Sequence, residues 1–198
     1  MANAAARVRM TEEEYLAFER ASDEKHEYID GEIFAMSGAS REHSSINVRL
    51  GAELLHGLRG RRCEVYSSDM RVYIPASRRY VYPDASVVCG RPEFKDKEFD
   101  TLLNPRVIVE ILSPSTEDYD REDKYTHYKT IHSLAHYVIA SQEEKLIEVF
   151  TREQDGSWTC VKYGAGQKCK LSAVDCEIDV DQVYGNVFEV EAVYVAVD

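Results

Sequence analysis

The sequence predicts an α/β fold of the α+β kind, a single domain in which helices cover a mixed sheet. Three observations lead there. Between residues 44 and 140 the pattern runs helix, three strands, helix, strand. Residues 107–112 are nearly all apolar, as a strand buried on both faces is. The chain has 198 residues, 44% of them hydrophobic and 30% charged, which is enough to bury one sizeable core.

The elements follow in order. Thr11, followed by three glutamates, is a helix N-cap with first-turn acids, and the helix is expected to run to about Arg20. Residues 28–35 read as a hairpin around Asp30-Gly31. Ile46, Leu50, Leu54 and Leu58 recur every four residues, so residues 44–58 form an amphipathic helix closed by Gly57 and Gly60. Three extended segments are expected at 64–74, 79–89 and 106–112, with a polar connection at 90–105. Ser115 and Asp118 resemble a capping box that opens a second helix over 118–132. Short strands follow at 136–140 and 145–151. The last 48 residues alternate and contain turns, which predicts peripheral strands. The core therefore spans about 41–151, with an N-terminal extension 1–40 and C-terminal strands 152–198.

Composition bounds the function. Asp plus Glu total 36 against 24 Lys plus Arg, a net charge of −12, which argues against avid phosphate binding. The charge is uneven. Residues 57–80 carry +4, from Arg59, Arg61, Arg62, Arg71, Arg78 and Arg79 against two acids, while residues 171–198 carry −7. The arginines are either a nucleic-acid contact or a solvated face. Five cysteines with no CxxC pair and no apolar leader lead us to expect reduced thiols in a cytoplasmic protein, without zinc. No membrane span and no nucleotide-cofactor loop is expected.

Two acids lie inside strands. Asp84 follows Pro83, and Glu110 sits in the middle of the most apolar run. A buried carboxylate costs several kcal/mol unless it is paired or holds a cation. On adjacent strands the two would hold a hard ion such as Mg²⁺. The bland alternatives are a turn acid at 84 and a pairing of Glu110 with Arg106 or Lys124. Asp120, Lys124 and Tyr128 share one helical face, which either faces solvent or points Lys124 at the acids to orient or deprotonate a water.

Five stretches carry a resemblance: YIDGEI at 28–33, SSDMRV at 67–72, YPDASVV at 82–88, VIVEILSPST at 107–116 and DREDKYTHY at 120–128. Together they resemble the Uma-two restriction-endonuclease-like family, within the wider PD-(D/E)xK nuclease fold. The resemblance spans about residues 10–190. It implies a DNA endonuclease using Mg²⁺ or Mn²⁺, with Asp84, Glu110 and the main-chain carbonyl of Ile111 as ligands. The lysine usual two residues after the acid is replaced by Leu112, and Lys124 is the implied substitute. Glu32, His43 (ahead of the long helix), Asp69 and Asp120 match further polar positions. The family's run after the second helix is altered at 131–138, so the site wall is expected to differ. A homodimer would suit two-fold duplex DNA. Two alternatives stay open: a catalytically inactive nucleic-acid or protein-binding member of the fold, and a component active only with a partner.

Overall fold

The computed structural model describes residues 9–113 and 119–189. Helix α1 (Glu12–Ala21) opens with the expected box: the Thr11 hydroxyl accepts from the Glu14 N–H, and the Glu14 carboxylate accepts from the Thr11 N–H at 2.8 Å. Strands β1 (His26–Ile29) and β2 (Glu32–Ala35) pair around Asp30 and Gly31, both at positive φ, the geometry a two-residue hairpin requires. Helix α2 covers Arg41–Gly57. It starts three residues earlier than the apolar period shows, because the Ser40 hydroxyl caps it by accepting from the His43 N–H. His43 therefore lies in the first turn, not ahead of the helix.

The first two extended segments each break into two strands in different sheets. The first becomes β3 (Cys63–Ser67) and β4 (Arg71–Ile74); the Met70 N–H donates to the Ser67 carbonyl and turns the chain between them. The second becomes β5 (Arg79–Val81) and β6 (Ala85–Cys89), interrupted at Pro83, which has no N–H for a ladder. Strand β7 (Thr101–Leu102) and the apolar β8 (Val107–Ile111) follow.

The second helix differs most from expectation. It is a π-helical turn over Tyr119–Lys124 leading into a short α3 (Tyr125–Tyr128). Its end is set by packing: Ile131 and Leu134 turn into the core, and the Ser133 hydroxyl donates to the Pro105 carbonyl. The capping residues Ser115 and Asp118 lie outside the described residues. Strands β9 (His136–Ala140), β10 (Leu146–Arg152), β11 (Trp158–Gly164), β12 (Lys168–Leu171) and β13 (Cys176–Asp179) precede α4 (Val180–Tyr184).

Among the described residues the strands form a six-stranded sheet, β11-β10-β9-β8-β6-β3, a five-stranded sheet, β2-β1-β5-β4-β7, and the pair β12-β13. The six-stranded sheet is mixed: β8 runs parallel to β9 and antiparallel to β6. The two-residue period of β8 divides it. Val107, Val109 and Ile111 meet α2 on one face, and Ile108 and Leu112 meet Tyr128, Ile131 and Leu134 on the other. Residues 169–187 are not mere trim, because Leu171, Ile178, Val183 and Tyr184 enter the α2 core. A third cluster stacks Tyr15, Tyr28, Tyr73 and Tyr80 between α1 and the five-stranded sheet.

The expectation of five reduced cysteines is corrected. The β3–β6 register sets Cys63 opposite Cys89, with Cα atoms 4.0 Å apart, and the two form a disulfide; Cys160, Cys169 and Cys176 are thiols. Among the described residues no helix is long and apolar enough to cross a membrane.

Candidate active site

Where the two large sheets meet, a cleft of about 900 Å³ opens between β1–β2, the start of α2, the ends of β6 and β8, and the π turn. Glu110 lies at its floor, 4% exposed, on the face of β8 that also carries Leu112. The position that the motif gives to lysine is thus filled by a buried leucine packed against Tyr128, Ile131 and Leu134. The cation arrives from the π turn instead. Lys124 Nζ stands 3.2 Å from Glu110 Oε1, 3.1 Å from Asp120 Oδ1 and 3.8 Å from Glu27 Oε1. The Tyr128 hydroxyl donates to the same Glu110 oxygen at 2.8 Å. The expected face of Asp120, Lys124 and Tyr128 therefore points inward.

Asp84 follows the Pro83 break at the mouth of β6. Its Oδ2 accepts from the Ile111 N–H at 2.7 Å, and its Oδ1 lies 2.8 Å from His43 Nε2. These two contacts fix the carboxylate beside Glu110 across the β6–β8 pair, whose register sets Ala85 against Val109.

Burial dominates the electrostatics. It pushes the Glu110 carboxyl up to about 8, helped by Asp120 and Asp84 and opposed by Lys124 and the Tyr128 hydroxyl. Burial works against the Lys124 ammonium, but Glu110, Glu27 and Asp120 outweigh it and hold the lysine well above its ordinary value. His43 is raised by its hydrogen bond to Asp84, against the effect of burial. Lys124 is consequently an ammonium: it can orient a water or neutralise an oxyanion, and it is not placed to deprotonate one.

Other expected residues scatter. Glu32 is on β2 but is not part of the cleft lining. The hairpin acid that does enter is Glu27, 9% exposed, whose carboxylate also accepts from the Tyr82 N–H at 3.3 Å. Only the alternation of β1 could have indicated it, since Tyr28 beside it faces the tyrosine cluster. Asp69 is exposed and pairs with Lys25 outside the floor. Asp120 is 2% exposed and sits beside Lys124.

The six arginines do not make one patch. Arg71 is 3% exposed and paired with Asp100, so it cannot meet phosphate. Arg78 pairs with Asp30 and Arg79 with Asp123. Arg59, Arg61 and Arg62 precede Cys63, at the end of β3 away from Asp84, and Arg61 is held by Asp175. Five residue steps along the ladder, from Cys89 opposite Cys63 to Asp84, separate them from the site by about 17 Å.

A divalent ion fits this donor set. Glu27, Asp84, Glu110 and Asp120 outnumber Lys124 along the cleft, and a cation beside them would offset the cost of burying a charged Glu110. Among the described residues no three His, Cys, Asp or Glu side chains converge as a ready cage. Two carboxylates completed by water and substrate oxygens are the coordination that Mg²⁺ favours.

Comparisons with known proteins bear on this geometry. A family profile named Uma2, described as "Putative restriction endonuclease", matches residues 12–180. Two uncharacterized Synechocystis proteins are similar. Slr1290 is 38% identical over 176 residues, covering 89% of this chain and 92% of its own length. Sll1609 is 35% identical over 149 residues, covering 75% and 84%. A crystal structure from Anabaena variabilis, described as a putative nuclease belonging to DUF820, superposes with a TM-score of 0.73. It shares 16% identity and covers 90% of this chain and 99% of its own, a likeness of fold alone.

Proposed function

Because the chain belongs to the Uma2 family and has the restriction-endonuclease-like fold, we propose that it is a metal-dependent endonuclease hydrolysing phosphodiester bonds in DNA. One observation carries the reading: Glu110 is buried at the floor of an open cleft, beside Asp84 and against the Lys124 ammonium. Structural burial alone gives no reason to place three carboxylates, Glu27, Glu110 and Asp120, around one lysine beside Asp84 at a solvent-accessible cleft.

Asp84, Glu110 and the Ile111 carbonyl would hold Mg²⁺ or Mn²⁺. Such an ion supplies an activated water and positive charge at the scissile phosphate. The chain's own residues do the rest. His43 and the Ile111 N–H hold Asp84 in one orientation, and the Tyr128 hydroxyl holds Glu110. Lys124, kept charged by Glu27, Glu110 and Asp120, positions the attacking water and neutralises charge developing on phosphate oxygens. Arg59 and Arg62, both exposed, would meet flanking phosphates at a distance.

The test is an incubation series with Mg²⁺ or Mn²⁺ and duplex, single-stranded and structured DNA, plus RNA. Cleavage by the native chain that is lost in both Asp84→Ala and Glu110→Ala is expected. Cleavage that survives in both variants refutes the assignment. A chain that cleaves nothing and takes up neither ion by calorimetry is the inactive binding member of the fold, the reading that Leu112 in the lysine position favours.

A further inference from the structure

The cleft has a second wall that hydrolysis does not use. Strand β2 is the outer strand of the five-stranded sheet, and Phe34 and Met36 beside it line the cleft at 46% and 39% exposure. Their position is set by register. Phe34 stands directly across from Glu27 on β1, so their Cβ atoms are about 5 Å apart on the same face. Glu27 in turn touches Lys124 at 3.8 Å. An exposed aromatic ring is thereby fixed within on the order of 10 Å of the proposed reacting centre. Tyr28 and Ile33, the alternate residues, pack into the tyrosine cluster, so core packing does not account for Phe34.

The cations that would track duplex phosphates are not in this cleft. Lys25 and Lys124 face five acids there: Glu24, Glu27, Asp84, Glu110 and Asp120. Lys25 is itself tied to Asp69 and the Ser68 carbonyl. Duplex binding rests on many phosphate contacts, whereas unpaired strands are also held by stacking of bases on aromatic rings. A charged floor beside an exposed aromatic wall matches one phosphate and one exposed base.

We infer that the strand enters the site unpaired, with Phe34 stacking on the base beside the scissile phosphate, so that single strands, loops and frayed ends are the substrate class. This rests on the hydrolytic reading of the same site. It is tested by fluorescence anisotropy with a short labelled single strand and a hairpin duplex of the same sequence, in Ca²⁺ to permit binding without turnover. The single strand should bind more tightly than the duplex. Phe34→Ala should weaken the single strand about tenfold and Phe34→Tyr should restore it. With Mg²⁺ or Mn²⁺, Phe34→Ala should raise KM for the single strand more than it lowers kcat.

Equal single-strand affinity in the native chain and Phe34→Ala overturns the inference, as does duplex binding as tight as single-strand binding. Sedimentation showing a native dimer and a Phe34→Ala monomer also overturns it, and makes the wall a self-association surface. Phe34-dependent binding of single strands with no cleavage refutes the hydrolytic reading and leaves the stacking wall standing. Glu110-dependent duplex cleavage indifferent to Phe34 does the reverse.

Discussion

Replacing Lys124 by methionine keeps the length of the side chain and removes its charge. The native ammonium is 3.2 Å from Glu110, 3.1 Å from Asp120 and 3.8 Å from Glu27, and its side chain is 11% exposed. At the shortest of these separations a charge pair is worth about 5 kcal/mol at an effective dielectric constant of ~20. Part of that is offset in the native chain by desolvation of the lysine. Removing one partner of a buried pair leaves the others uncompensated and costs about 3–5 kcal/mol. In metal-free buffer Lys124→Met should therefore lower the urea midpoint with no change in slope, equivalent to roughly 10 °C in Tm for a chain of this size. The loss should shrink when Glu110→Gln is combined with it, with a coupling of about 1–3 kcal/mol in the double-mutant cycle. Added Mg²⁺ should recover part of the midpoint in Lys124→Met by mass action. A variant as stable as the native chain, or additive effects of the two substitutions, would refute the claim that Lys124 balances these carboxylates.

Three further outcomes are expected. Burial pushes the His136 ring down to about 4, and its Nε2 accepts from the Ala173 N–H at 3.0 Å, so the ring is neutral in the fold. Below the ordinary value of 6.5 the unfolded chain takes up a proton that the folded one refuses. Stability is then complete above about pH 6.5 and falls by about 3 kcal/mol as pH drops to 4. Urea midpoints of the native chain and His136→Gln should diverge in slope across that window; parallel curves would contradict the assignment. The Cys63–Cys89 bond closes a loop of 26 residues, worth about 3.5 kcal/mol by loop entropy, so a reductant should lower Tm. Thiol titration of the unreduced protein should find Cys160 when folded, with Cys169 and Cys176 added on unfolding. Finally, a methyl group at Gly57 would collide with Cys176 Sγ and lie 3.1 Å from the Glu177 carbonyl, where α2 packs on β13. Gly57→Ala should cost about 1–3 kcal/mol in denaturant unfolding even though alanine favours a helix.

Much of the site was legible because its elements announce themselves locally. An acid inside an apolar strand, as at Glu110, contradicts its surroundings and signals pairing or ligation without any structure. The i, i+4, i+8 spacing of Asp120, Lys124 and Tyr128 survives the widening of their helix by a π turn, because all three still face β8. Thr11, Asp30 and Gly31 specify their cap and hairpin through backbone hydrogen bonding that needs only neighbouring residues. The extended segments 64–74 and 79–89 each divide between two sheets, a division that alternation does not record. Only the turn at Ser67–Met70 and the break at Pro83 divide them.

Local pattern in the chain specified the order of the main helices and extended segments and the apolar faces of α2 and β8, and the family resemblance implied that Asp84, Glu110 and Lys124 share one site. Tertiary structure decided which distant residues meet them. It selected Glu27 over Glu32, withdrew Arg71 into an ion pair with Asp100, joined Cys63 to Cys89, and left Phe34 exposed beside the carboxylates. Those outcomes depend on strand register and on contacts between the two sheets. A residue's own period shows which face it takes, whereas its partner across the fold is set by the packing of the whole chain.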